Sequence, residues 1–194
     1  AHTFGPIDVL VANAGFGVSG ALEELTVADF QRQLDTNVLG VIRCIRAALP
    51  DLRQTRGVIG VVGSANGYVG LPGHSAYCAS KFAVRGLADC LRAELAAQQV
   101  HVTHLTPGFI ATEFRHVDRD GEYQPNRIDP IPRWAQLPAE RAARQMLRAL
   151  AHRRREAVIT THAKLGVALA RCCPSLTAAT LRRLAPWIRR VDEA

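Results

Sequence analysis

Long hydrophobic runs are missing from this 194-residue sequence, and its longest apolar stretch, Val58–Val62, is broken by a glycine. Because an α-helix needs about 20 apolar residues to cross a bilayer, we expect no membrane-spanning helix. Residues 1–6 also lack the basic start and apolar centre of a secretory signal peptide. With 48% hydrophobic and 21% charged residues, the chain has the composition of one globular domain.

Cysteine is present, but it lacks any metal-binding pattern. The five cysteines are an odd number without ligand spacing, and the adjacent Cys172 and Cys173 cannot readily form a bridge with each other. We therefore expect no metal site and reduced thiols, as in a cytoplasmic protein.

Acidic residues are too few to balance the basic ones, and the formal charge is +7. The excess lies after Arg133, in clusters at 153–155, 182–183 and 189–190. A tail of this kind could bind nucleic acid or anionic lipid, or it could be an ordinary solvated helix face, which we favour. Because aromatic residues do not alternate with the basic ones, we expect no nucleic-acid binding.

Two kinds of periodic segment alternate along the chain. The buried-strand patterns are 7–11, 58–62, 100–105 and 157–160. The helical patterns are 26–50, 76–99 and 138–152. Strands that alternate with helices indicate a parallel sheet covered on both faces, since parallel strands need long connections. The sequence therefore predicts an α/β fold that binds ligands at the carboxyl ends of its strands.

A tyrosine and a lysine lie four residues apart on one predicted helix. Side chains at this spacing share a helix face, so Tyr77 and Lys81 can act as a pair. A nearby ammonium group favours the phenolate, which makes the hydroxyl a usable proton donor or acceptor near neutral pH. Ser64 ends the preceding strand, and a glycine-rich loop can bring its hydroxyl to Tyr77. Taken alone, the pair could equally be an ordinary helix-surface pair.

The chain resembles the short-chain dehydrogenase/reductase family in stretches that occur in the family's order. They are NAG at 13–15, DTNVLG at 35–40, GSANGYVGLPGHSAYCASK at 63–81 and TPGFIAT at 106–112. The resemblance implies a Rossmann-like, doubly wound parallel sheet and an NAD(P)-dependent oxidoreductase that interconverts a carbonyl and a secondary alcohol. It implies NADP or NAD as the cofactor and a small-molecule carbonyl or alcohol as the substrate, without a metal.

The same resemblance assigns roles to the catalytic candidates Asn37, Ser64, Tyr77 and Lys81. Tyr77 would be the general acid in reduction and the general base in oxidation, and Ser64 would orient the substrate oxygen. Lys81 would lower the pKa of the tyrosine and hold the nicotinamide ribose. Asn37 would anchor a water relay through which Lys81 exchanges protons with solvent.

Two loops and the Tyr-Lys pair are implied as the cofactor-binding segments. The implied cofactor-binding residues are Asn13, Ala14, Gly15, Tyr77, Lys81, Pro107, Gly108, Ile110 and Thr112. Ile110 would contact the carboxamide through its main chain, and Thr112 through its hydroxyl. Each residue also has a simpler explanation: Asn13, for example, could serve a turn.

The family's glycine-rich turn, which holds the cofactor pyrophosphate, has no counterpart before residue 7. The expectation is an incomplete sheet that lacks the family's first three strands, in a truncated chain that by itself binds dinucleotide weakly or not at all. An exposed first strand could pair with another chain. A non-catalytic interaction module is therefore the alternative function.

The chain is predicted to consist of a partial catalytic core at 1–162 and a basic helical extension at 163–194 within the same domain. The helices 26–52 and 76–99 resemble those through which the family forms dimers and tetramers, which implies a homo-oligomer. The extension carries apolar residues along one helical stripe. This pattern suits packing on the domain, a lid over an apolar or lipid-like substrate, or peripheral contact with an anionic membrane. The expected location is cytoplasmic, with membrane association left open.

Overall fold

The computed structural model of the chain describes residues 3–118, 120–127 and 129–193, within which strands and helices alternate. In chain order they are β1 (Val9–Ala12), α1 (Val27–Leu34), α2 (Val41–Thr55), β2 (Val58–Val62), α3 (Ser75–Glu94), β3 (His101–Thr106), β4 (Ile110–Ala111), β5 (Leu137–Pro138), α4 (Ala139–Ala151), β6 (Glu156–Val158), α5 (Thr161–Cys172) and α6 (Pro174–Glu193). A π-helical turn, Asp35–Gly40, joins α1 to α2.

Four strands form one parallel sheet in the order β1-β2-β3-β6. Helices α1 and α2 connect β1 to β2, α3 connects β2 to β3, and α4 precedes β6. The carboxyl ends of these strands therefore meet at one edge of the sheet. A short parallel pairing of β4 with β5 lies outside the main sheet. The α/β fold with a parallel sheet, predicted from the sequence, is confirmed.

Apolar side chains pack on both faces of the main sheet. On one face, Leu52 of α2 and Val84 of α3 are fully buried together with Ile59 of β2. On the other face, Leu150 of α4 packs against Leu105 of β3. Neighbouring residues of β2 point to opposite faces of the sheet. The continuous apolar pattern of this strand predicts such cover on both faces.

Strand β1 lies at an edge of the sheet, and two of its valines are uncovered. Val9 and Val11 are 50% and 42% exposed, whereas Ala12 is buried. Because alternate residues of a strand point to opposite faces, it is one face of β1 that lies open. The expectation that three strands are missing before β1 stays a prediction.

Helix α2 extends past Pro50, near which the sequence predicts its end, and continues to Thr55. A proline inside a helix removes one main-chain hydrogen bond. Pro50 is itself exposed, but Ala48 and Leu52 on either side of it are buried. The packing of this buried face holds the helix together beyond the proline.

The predicted extension, 163–194, includes most of α5 and all of α6, and α5 is packed against the domain. Ala163 and Val167 of α5 are buried, and Arg171 forms an ion pair with Glu156 of β6 at 2.6 Å. Among the described residues, no helix is long and apolar enough to span a bilayer.

Candidate active site

Two hydroxyl groups meet between the carboxyl end of β2 and the first turn of α3. Ser64 follows β2 and caps the short helical turn Ala65–Gly67, in which Asn66 N donates a hydrogen bond to the Ser64 hydroxyl at 3.1 Å. Tyr77 lies in the first turn of α3, where its hydroxyl group is hydrogen-bonded to the Ser64 side chain. The structure thus brings together the serine and the tyrosine that the sequence singles out.

Lys81 is buried one turn further along α3. Its Nζ atom lies 5.6 Å from the centre of the Tyr77 ring and donates a hydrogen bond to Val62 O at 3.1 Å. Burial lowers the pKa of Lys81 to about 8, because desolvation disfavours the charged ammonium group. The lysine can therefore take up and release a proton close to neutral pH.

The pKa of Tyr77 is raised, although the sequence-based expectation is that Lys81 lowers it. Burial raises the pKa of the phenol to about 12, while the hydrogen bond with Ser64 and the positive charge of Arg115 act in the opposite direction. Desolvation has the larger effect on the pKa of Tyr77, because both the phenolate and the ammonium group lose hydration in this site. Tyr77 is consequently a neutral phenol at physiological pH, which is the form that donates a proton.

Asn37 is buried in the π-helical turn and holds the loop that follows β1. Its Oδ1 accepts a hydrogen bond from Phe16 N at 3.1 Å, and its Nδ2 donates to Phe16 O and to Ser80 Oγ, both at 3.0 Å. A Cβ atom at Gly15 would lie 2.8 Å from this Oδ1, so the loop approaches the asparagine where glycine has the space. The role of Asn37 in a water relay stays a prediction.

Gln33, which sequence reasoning missed, supports the same loop. It is fully buried, accepts a hydrogen bond from Val18 N at 2.7 Å and donates one to Phe16 O at 2.7 Å. Gln33 lies four residues before Asn37, and polar residues at this spacing share a helix face. This polar pair on one face of an otherwise amphipathic helix is the signal that could have identified it.

We expect Gln33→Leu to lower the free energy of unfolding by about 1–3 kcal/mol, because it leaves the buried Val18 N–H without an acceptor. Urea unfolding checks this value. The matched control is Gln31→Leu on the exposed side of α1, which is expected to change stability by less than about 0.5 kcal/mol. Equal losses in the two variants would show that the glutamine does not hold the loop.

The predicted cofactor loop after β3 lies beside the serine turn. Pro107 O accepts a hydrogen bond from Ala65 N at 3.2 Å, which ties the loop to the residue that follows Ser64. Ile110 O accepts from Arg115 at 3.1 Å, so the main-chain oxygen of Ile110 is already engaged. The exposed Thr112 caps the next helical turn through its side-chain oxygen.

An aromatic side chain lies next to Tyr77. The ring centres of Phe114 and Tyr77 are 5.7 Å apart, with the planes tilted by 57°. A Cβ atom at Gly17 would lie 3.4 Å from Phe114 and 3.7 Å from Tyr77, so the loop after β1 closes on the same ring. The tyrosine hydroxyl is thus bordered by apolar as well as polar groups.

The remaining predicted residues lie at the carboxyl end of β1. Asn13 and Ala14 are exposed there, and a Cβ atom at Gly15 would lie 3.7 Å from Lys81 Nζ. Gly15 therefore lies beside Lys81, whereas the side chains of Asn13 and Ala14 are exposed to solvent. In the part of the chain that the structure describes, no cluster of three or more His, Cys, Asp or Glu side chains could hold a metal ion.

Comparison with known proteins assigns the chain to a family. The sequence model of the short chain dehydrogenases matches residues 1–122. The chain belongs to the short-chain dehydrogenase family. It is 34% identical over 190 residues to dehydrogenase/reductase SDR family member 7B of Xenopus tropicalis. The matched region covers 96% of this chain and 57% of that relative.

Two further comparisons concern a steroid-related enzyme and a solved structure. This short-chain dehydrogenase is 45% identical over 113 residues to 17-beta-hydroxysteroid dehydrogenase type 1 of Mus musculus, which covers 58% of the chain and 33% of the relative. A short chain dehydrogenase from Burkholderia cenocepacia, solved in complex with NADP, superposes with a TM-score of 0.77 at 26% identity, over 90% of this chain and 68% of that one. The chain thus spans about half, or less, of the length of these curated relatives.

Proposed function

We propose that this short-chain dehydrogenase is an NAD(P)-dependent oxidoreductase that interconverts a carbonyl and a secondary alcohol on an apolar or lipid-like substrate. The observation that carries the proposal is the convergence of Ser64, Tyr77 and Lys81. Passing a proton to a carbonyl oxygen needs a neutral phenol, a hydroxyl group that is hydrogen-bonded to the phenol, and an amine with a pKa of about 8.

Each residue has a defined part in this chemistry. The nicotinamide cofactor, when bound, donates or accepts a hydride. In reduction, Tyr77 donates its proton to the carbonyl oxygen, and Ser64 orients that oxygen and stabilises the negative charge that develops on it. In oxidation, Tyr77 accepts the alcohol proton in its phenolate form, which the Ser64 hydrogen bond and the Arg115 charge favour.

The surroundings of Lys81 fit a dinucleotide. An ammonium group has three N–H donors, and the hydrogen bond that Lys81 makes within the described residues goes to Val62 O. Two donors therefore remain for ribose hydroxyls. Gly15 leaves no side chain between its loop and the lysine, and the exposed Asn13 and Thr112 stand at the ends of β1 and of the β3 loop. The NADP complex of the Burkholderia cenocepacia relative supports this class of cofactor.

An apolar substrate is favoured by the aromatic groups near the tyrosine. Phe114 packs beside Tyr77, and Phe109 on the neighbouring loop is 38% exposed. Aromatic surface of this kind binds ring systems and hydrocarbon chains better than it binds small polar ketones. The mouse relative, named for a hydroxysteroid, supports the same class.

The test is to measure dinucleotide binding and turnover with the protein expressed from its complete gene. We expect NADPH or NADH fluorescence to change on titration, and we expect a steroid or retinoid ketone to be reduced in preference to acetone. Failure of the complete protein to bind either dinucleotide would leave the interaction module as the better explanation.

We also propose a cytoplasmic homo-oligomer that associates through the segments 26–52 and 76–99, with peripheral membrane contact by the extension. Phe82 on α3 is 43% exposed, which supports an outward contact surface. The extension, 163–194, contains six Lys and Arg residues and two acidic residues. Leu165 and Leu176 of the extension are 69% and 57% exposed, a combination that suits an anionic lipid surface. Sedimentation with phosphatidylserine vesicles, compared with phosphatidylcholine vesicles, checks the membrane contact.

A further inference from the structure

The loop after β3 rests on the amino-terminal end of α5 through one histidine. Phe109 N donates a hydrogen bond to His162 Nε2 at 2.9 Å, and the two rings stack with their centres 4.7 Å apart. Thr160 Oγ1, which caps α5, lies 3.0 Å from the same nitrogen. Main chain, ring and cap therefore meet at a single imidazole.

The contact defines the protonation state of His162. A main-chain N–H can only donate, so the Nε2 atom that faces Phe109 must carry a free lone pair. The imidazole is then neutral, with its proton on Nδ1. Burial lowers the pKa of His162, which favours the same neutral form.

The main chain of the loop packs closely against the start of α5. A Cβ atom at Gly108 would lie 2.2 Å from Thr160 Oγ1 and 2.4 Å from His162 Nε2. These distances are far below van der Waals contact, so the main chain of the loop lies directly on the histidine and its capping threonine. The loop can hold this position only as long as both partners stay in place.

The same loop reaches the catalytic residues on its other side. Pro107 O is hydrogen-bonded to Ala65 N, next to Ser64. Ile110 O is hydrogen-bonded to Arg115, whose charge lowers the pKa of Tyr77. A displacement of the loop would therefore move groups that belong to the proposed reaction.

We propose that His162 is a positioning residue, which acts as a neutral hydrogen-bond acceptor to hold the 107–112 loop in the conformation that receives the nicotinamide cofactor. The proposal rests on the proposed function. His162 lies in the first turn of α5 and is the last residue of the predicted catalytic core, so the start of α5 contributes to the proposed cofactor site. A residue with this role is not evident from the sequence, because it lies 85 positions after Tyr77.

The position of the loop is expected to depend on pH. Protonation converts Nε2 into a donor that opposes the Phe109 N–H, and the Arg115 guanidinium carbon, 6.0 Å from the centre of the Phe109 ring, adds a nearby positive charge that does not favour an imidazolium. The folded-state pKa is lower than the ordinary value of 6.5, so the contact is complete above that value. It is lost as the pH falls from 6.5 through the lower folded-state pKa.

The experiment compares His162→Phe, which keeps the stacked ring but removes the acceptor, with His162→Gln, whose side-chain oxygen can accept. The readouts are amide hydrogen exchange at Phe109 in the complete, cofactor-free protein and the dissociation constant for NADPH. We expect about three- to tenfold faster exchange, and NADPH binding weakened by a similar factor, in His162→Phe. His162→Gln is expected to recover most of both. His152→Phe on the surface after α4 is the control and is expected to change neither.

Unchanged protection at Phe109 in His162→Phe would overturn the proposal, and so would faster exchange with unaltered NADPH affinity. If that variant does not fold, the wild-type protein decides: its Phe109 protection factor is expected to fall below pH 6.5, and a constant value would contradict the role. A wild-type protein that binds no dinucleotide at all would instead overturn the proposed function, while the exchange data would still report on the loop contact.

Discussion

Tyr77→Phe is expected to lower carbonyl turnover by about 10²–10⁴-fold, far more than it lowers cofactor affinity. The phenylalanine ring keeps the packing against Phe114 and loses only the hydroxyl group that is bonded to Ser64. Because burial raises the pKa of Tyr77 to about 12, this hydroxyl is the protonated acid of the site at neutral pH. Its removal takes away the proton donor, and no other change to the pocket is needed to explain a loss of rate.

Steady-state reduction of an apolar ketone, with NADPH binding measured on the same samples, tests this expectation. Tyr123→Phe is the matched control, since Tyr123 is 51% exposed and its hydroxyl lies at the surface. We expect the control to retain full turnover. A Tyr77→Phe protein that keeps more than about a tenth of the wild-type rate would show that another group transfers the proton.

Lys81→Met removes the buried amine of the proposed site. It is expected to change how the free energy of unfolding depends on pH. Burial lowers the pKa of Lys81 from 10.5 to about 8, a difference that corresponds to about 3 kcal/mol. Between these two values the unfolded chain holds one proton more than the folded chain, so the free energy of unfolding rises with pH. Below pH 8 the folded protein carries the full cost of the desolvated ammonium group, and above 10.5 it carries none.

We therefore expect the wild type to gain about 3 kcal/mol of stability relative to Lys81→Met between pH 7 and 10.5. NADPH affinity is expected to fall by about 10–100-fold in the same variant, because the ribose loses its charged donor. Urea unfolding at several pH values measures the first effect and fluorescence titration the second. Lys164→Met replaces an exposed lysine and is expected to show neither. Parallel stability curves for Lys81→Met and wild type would contradict the lowered pKa.

The sequence was informative where a local pattern has one structural outcome. The apolar run Val58–Val62 became a strand that is buried at every position. Tyr77 and Lys81, four residues apart, lie on the same side of α3, since helical periodicity alone requires it. The strand end and the glycine-rich loop after it pointed to Ser64, and the structure places this serine beside the tyrosine.

The pKa of Tyr77 could not be predicted from the same residues. The sequence shows that an amine is near the phenol, but not that both groups are buried. Burial of Tyr77 outweighs every favourable contact and raises its pKa. Lys81 instead donates to Val62 O, which belongs to a strand 19 positions upstream. Solvent exclusion depends on every element that packs around a group, so it is a property of the assembled site.

The support of the two loops that we propose to bind the cofactor could not be predicted before the fold was known. Gln33 holds Phe16 and Val18, and His162 holds Phe109, across separations of 15 to 53 residues. Single polar residues of this kind have no partner at fixed spacing, so no local pattern identifies them.

By itself, the sequence determined the α/β alternation and the four strands of the main sheet, and it singled out Ser64, Tyr77 and Lys81 as candidates, because periodicity and short motifs act over a few residues. The tertiary structure alone decided which groups lose water, which main-chain atoms Gln33 and His162 hold, and how far α2 runs past Pro50. These outcomes depend on contacts between distant segments, and their free energies arise only when the sheet and its helices are packed together.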